Sequence, residues 1–151
     1  MTKLTKGTWV LIADGEKALF LRNDLDEQNP DLNVVRLEHQ ENPPTHEQAD
    51  NRRGRVHESA GSGRSAYEDT DWHRLAKDRF ADDLAGILYS LAHRGAFERI
   101  VLVAPPRVLG ELREKMHKEV SDRVVAELHK TLTNHPLDRI ETMLRDELAG
   151  Q

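Results

Sequence analysis

The apolar residues of this chain change their spacing across a stretch with no spacing at all. Before residue 38 they fall in short compact runs: Thr8-Trp9-Val10-Leu11-Ile12-Ala13, then Ala18 to Leu21, then Leu32 to Leu37. Runs of this length, rich in β-branched and aromatic residues, suit strands. Asp14-Gly15 separates the first two, the pair that best supplies positive φ for a tight hairpin turn. Asn29-Pro30-Asp31 lies between the second and third. Three consecutive strands with short connections predict an antiparallel meander.

Residues 38–70 follow neither a strand nor a helix period, and they carry Pro43-Pro44, Gly54, Gly61 and Gly63. A loop of about 30 residues far exceeds the usual connection, and loops of that length are functional or disordered. From Asp71 the spacing turns helical, through Trp72, Leu75, Phe80, Leu84, Ile87, Leu88 and Leu91. Asp69 or Asp71 can cap the start, and Gly95 is placed to end the helix.

Ile100 to Ala104 is wholly apolar, as a buried strand requires, and Pro105-Pro106 closes it. Val108, Leu109, Leu112 and Met116 form the apolar side of a second helix. Val124 to Leu128 reads as a strand or as the end of that helical region, with the strand favoured. Pro136 opens a last helix with Leu137, Ile140, Met143, Leu144 and Leu148 on its apolar side. The prediction is one α/β domain over residues 1–151. Its mixed β-sheet starts as an antiparallel three-strand meander and continues α-β-α-β-α. Helices pack on the sheet, and a long arginine-rich loop joins strand 3 to the first helix.

Charge sharpens the interest of that loop. The chain carries 22 Lys and Arg against 27 Asp and Glu, a net charge of −5, which argues against broad non-specific nucleic-acid binding. Residues 51–66 break the pattern, with Arg52, Arg53, Arg55 and Arg64 against Glu58 alone. Arginine forks suit phosphate, and Tyr67 and Trp72 just downstream could stack on a base. Gly61 and Gly63 would let the backbone approach such a ligand closely, although a solvated basic hinge has the same composition.

Other chemistry finds less support. The chain has no cysteine, which excludes disulfides, thiolate catalysis and Cys-ligated zinc. Asp14 could serve as the first carboxylate of a two-metal nuclease, but the fourth predicted strand ends in Pro105-Pro106 with no converging acid. Asp14 is better read as a turn residue. Asp69-Thr70-Asp71-Trp72-His73 reads as helix capping, and Asp82-Asp83 as a wet helix face. His57 and Glu58 near Ser59, Ser62 and Ser65 contain the ingredients of hydrolysis without a geometry. No metal or cofactor is implied. No apolar run approaches the roughly 20 residues of a membrane helix, and the N-terminus lacks a secretory signal, so the expected location is the cytoplasm. Oligomeric state is not legible.

Several segments resemble a bacterial family, the host attachment proteins, described as required for attachment to host cells. They are Trp9 to Ala18, Gly54-Arg55-Val56-His57-Glu58-Ser59, Gly61-Ser62-Gly63-Arg64-Ser65, Asp71-Trp72-His73, Val103 to Arg113, and Leu132-Thr133-Asn134-His135-Pro136. The resemblance implies a role linked to adhesion, with a protein partner in that pathway. That family in turn is similar to the middle domain of archaeal and eukaryotic class 1 translation release factors, whose loop carries Gly-Gly-Gln followed by Ser. Here Gly63 stands for the second glycine and Arg64 for the glutamine that positions water in peptidyl-tRNA hydrolysis. The resemblance implies a loop, with Arg52, Arg53, Arg55, His57, Gly61, Gly63, Arg64 and Ser65, that enters a ribosomal or tRNA site as a binder. A hydrolase acting on a peptidyl-tRNA-like ester through residues 57–65 and an adhesion-linked interaction module are the alternatives.

Overall fold

A computed structural model describes residues 4–39 and 79–149. Three strands come first: β1 (Trp9–Ala13), β2 (Lys17–Asn23) and β3 (Leu32–His39). Helix α1 follows, described over 79–93. Then come β4 (Ile100–Ala104), α2 (Pro106–Lys115), α3 (Lys118–Ser121), β5 (Val124–His129) and α4 (Leu137–Ala149). The five strands form one sheet in the order β3-β2-β1-β4-β5. β1 pairs antiparallel with β2, and β2 with β3. β4 lies parallel to β1, and β5 parallel to β4. The expected meander is therefore present, and the ambiguous run at Val124 is a strand.

Composition explains the strand order. β1 and β4 are apolar at every position and buried at every position, so they occupy the middle of the sheet, covered on both faces. On one face Leu11, Phe20 and Leu102 pack under Leu84, Leu88 and Leu91 of α1 and Leu109 and Leu112 of α2. Trp9 joins this layer, 5.5 Å from Phe97 and 6.3 Å from Phe20 between ring centroids. On the other face Val10, Ile12, Val101 and Val103 pack under Ile140, Leu144 and Leu148 of α4. Residues along β1 thus serve the two layers alternately, as a period of two demands.

Gly95 ends α1 as the sequence suggests. Its φ is +77°, its N–H donates to Ala92 O at 3.0 Å, and Ala96 N donates to Leu91 O at 2.8 Å, which is a Schellman cap. The hairpin turn differs from expectation. Among the described residues only Gly7 and Gly95 have positive φ, so Gly15 does not supply a left-handed turn. The Asp14 side chain closes it instead, Oδ1 accepting from the backbone N–H of Glu16 at 2.7 Å and of Lys17 at 2.8 Å.

Two further differences have simple causes. β3 runs on to His39, because residues 38 and 39 pair with Ala18 and Lys17 despite their polarity. The four-residue α3 buries only Val120, too little to leave a period in the sequence. It is capped by His117, whose Nδ1 accepts from Glu119 N at 3.0 Å.

Candidate functional site

The carboxyl ends of β1, β4 and β5 share one edge of the sheet, because these three strands are parallel. In sheets of this kind ligand sites collect at that edge, where successive connections leave for opposite faces. Here β4 leads into α2 on one face and β5 leads toward α4 on the other.

The edge is built by a cross-chain tie. Asp14, just past β1, uses one carboxylate oxygen on the turn, and its other oxygen accepts from the Thr133 hydroxyl at 2.6 Å. Thr133 is buried and lies in the turn that follows β5, closed by His135 N donating to Leu132 O at 3.1 Å. Beside it Lys17 Nζ donates to Asn134 Oδ1 at 3.3 Å. Both oxygens of Asp14 are engaged, so it ties the hairpin turn to the segment after β5. Among the described residues no group of three potential ligands is arranged around a metal position.

α2 starts at the same edge. Pro105 occupies its N-cap without a side-chain hydrogen bond, and Pro106 opens the first turn. Arg107 projects largely into solvent, its Nε 3.3 Å from Glu111 Oε1 one turn on. Arg107 and Val108, with Phe80 and Leu84 of α1 and Asp14 and Gly15, line a small and mostly apolar depression.

Arg52, Arg53, Arg55, His57, Gly61, Gly63, Arg64 and Ser65 all lie outside the described residues, as do the capping candidates Asp69 and Asp71. What is described is where that segment is attached. The last described residue before it is His39, which pairs with Lys17 beside the Asp14 turn. The chain resumes at 79–80, where Phe80 lines the depression with Asp14 and Arg107. Both attachments therefore sit at the carboxyl edge. The sequence reading missed Thr133 and Asn134 as parts of this edge. Their only signal was the Leu132-Thr133-Asn134-His135-Pro136 stretch, which carries no period and is 119 residues from Asp14.

Fold and edge together define a mixed α/β fold in which the described residues on either side of positions 40–78 lie at the carboxyl side of the sheet. Residues 7–144 match the family model of bacterial archaeo-eukaryotic release factor family 12, and the chain belongs to that family. Among solved structures it is similar to an archaeal translation termination factor, aRF1, at 11% identity and a TM-score of 0.45. That match covers 93% of this chain and 40% of the archaeal one, so the chain spans well under half of that protein's length. No curated protein matches.

Proposed function

We propose that this chain is a binding domain of the release-factor type, whose 51–66 segment engages RNA of the ribosome or of tRNA through its arginines. The observation that carries the reading is the net charge of +3 in that segment within an acidic chain. The common edge at which His39 and Phe80 flank it supports the same reading, since one rigid frame fixes both approaches to the segment. With Arg64 in place of a glutamine, the segment binds and does not hydrolyse. The domain acts in the cytoplasm, and any role in attachment to host cells is indirect, through translation.

Co-sedimentation with ribosomes and filter binding to tRNA test this at two salt concentrations. Four phosphate contacts on single-stranded RNA weaken binding by about 50-fold between 50 and 200 mM salt. Changing Arg52, Arg53, Arg55 and Arg64 together to Ala should remove both the binding and its salt dependence. Equal binding by wild type and variant, or none by wild type at low salt, overturns the proposal.

A further inference from the structure

β3 is the outer strand of the meander, and among the described residues no strand pairs with its far edge, whose spacing is unusual. Asn23 turns its main chain toward β1, its N–H donating to Thr8 O at 2.9 Å and its carbonyl accepting from Gly7 N at 2.8 Å. At the other end of β2, Lys17 O accepts from Asp14 N at 2.9 Å. Main-chain groups alternate sides along a strand, so Leu19 and Leu21 also face β1, while Ala18, Phe20 and Arg22 face β3. Their partners Glu38, Arg36 and Asn33 therefore point inward. Leu37 and Val34, opposite Leu19 and Leu21, direct their N–H and C=O groups outward. Leu32 obeys the same rule, and its outward N–H is taken by the Glu141 carboxylate at 2.8 Å.

The side chains of Val34 and Leu37 are exposed too, at 49% and 59%. They share the face of Leu19, which is only partly buried. A register shift opposite Phe20/Leu21 inserts Val35 between them, so the outward positions stand three residues apart instead of two. A regular strand offers its groups every second residue and cannot satisfy both. A strand with the same insertion can.

We propose that two copies of this chain pair through β3, antiparallel and related by a two-fold axis between Val35 and Arg36. Val34 of each copy then lies opposite Leu37 of the other, in two reciprocal hydrogen-bonded pairs. The two apolar patches merge into one strip on one face. Asn33, whose Nδ2 donates to Asp24 Oδ2 at 2.7 Å, falls opposite Glu38 of the second copy. Arg36 of each copy comes near the axis already bonded to its own Glu38, Nε to Oε2 at 2.7 Å, which offsets repulsion there. A single strand pairing is a small interface, so a weak, concentration-dependent dimer is expected.

The chain contains no cysteine, which makes register testable. Asn33→Cys and Glu38→Cys chains, mixed and oxidised with glutathione, should cross-link at least ten times faster than either alone. A non-hydrogen-bonded antiparallel pair brings Cα atoms to about 4.5 Å, within disulfide reach. Sedimentation equilibrium of the wild type should show a concentration-dependent dimer. Leu37→Pro, which removes an outward N–H and the exposed leucine side chain but no hydrogen bond to β2, should be monomeric with an unchanged circular dichroism spectrum. A wild type that stays monomeric up to about 1 mM overturns the proposal, as does a dimer indifferent to Leu37→Pro or cross-linking equal in all mixtures.

Discussion

Asn23 is fully buried and holds three pieces of chain together. Its Nδ2 donates to Leu4 O at 2.6 Å, with further contacts to Asp26 O at 3.1 Å and Thr5 O at 3.3 Å. Its Oδ1 accepts from Leu25 N at 3.1 Å and Asp31 N at 2.9 Å. Replacing it by Asp conserves shape and the accepting oxygen, but turns the donor into a second oxygen facing three carbonyls. An unsatisfied buried group costs about 1–3 kcal/mol and an uncompensated buried charge about 3–5 kcal/mol. We expect Asn23→Asp to lose about 3–5 kcal/mol at pH 7, against about 2–4 kcal/mol for Asn23→Ala, which has no charge to bury.

Burial raises the carboxyl pKa of the Asp variant above its unfolded value. The folded state then holds the proton longer, so the penalty is smallest below the unfolded pKa and grows as pH rises toward the folded one. Urea unfolding followed by fluorescence of the buried Trp9 measures this. The gap between the two variants should narrow or reverse between pH 7 and about pH 4.5. An Asp variant within 1 kcal/mol of wild type at pH 7, or a gap independent of pH, would refute the argument.

Three further expectations follow from geometry. Gly86 is exposed inside α1 with open space where a Cβ would stand, so Gly86→Ala should stabilise by about 0.5–1 kcal/mol, while Gly95→Ala, at φ +77°, should cost about 1–2 kcal/mol in the same denaturation assay. Thr133→Val removes the hydroxyl that Asp14 accepts and should lower stability by about 1.5–3 kcal/mol, with faster hydrogen exchange at the Glu16 and Lys17 amides. Hydrogen bonds from Arg22 and then Asn33 hold the Asp24 carboxyl below its ordinary pKa. Its contribution to stability is therefore present above that ordinary value and is lost as pH falls through the lower folded one. NMR titration should place its midpoint below 3.8, moving up in Arg22→Ala.

The strands were legible where burial left no choice. The uniformly apolar runs at Trp9–Ala13 and Ile100–Ala104 belong at the sheet's centre, and that is where they lie. Val124–His129 was ambiguous because five of its six residues are only partly buried or exposed, as on an edge strand. The Val35 bulge leaves no mark in a pattern of apolar and polar letters, since it depends on pairing with Phe20. Asp14 was legible as a turn residue, but its closing by an Asx contact and its bond to Thr133 were not, because one replaces a backbone conformation and the other spans the chain. The arginine cluster rests on charge alone, a property that needs no fold.

The sheet's mixed pairing also sets the order in which the chain can assemble. Val10 meets Leu21 across a short hairpin, but Trp9 must wait about ninety residues for Ile100. At about 5–20 residues per second of synthesis, β1 emerges several seconds before the strand that covers its other side. During that interval a fully apolar strand has one open edge, and the meander alone has no helix from the C-terminal half to shield it. Contacts of such sequence separation also slow folding. The nascent N-terminal third thus keeps one edge of β1 unpaired until Ile100 to Val103 have been made.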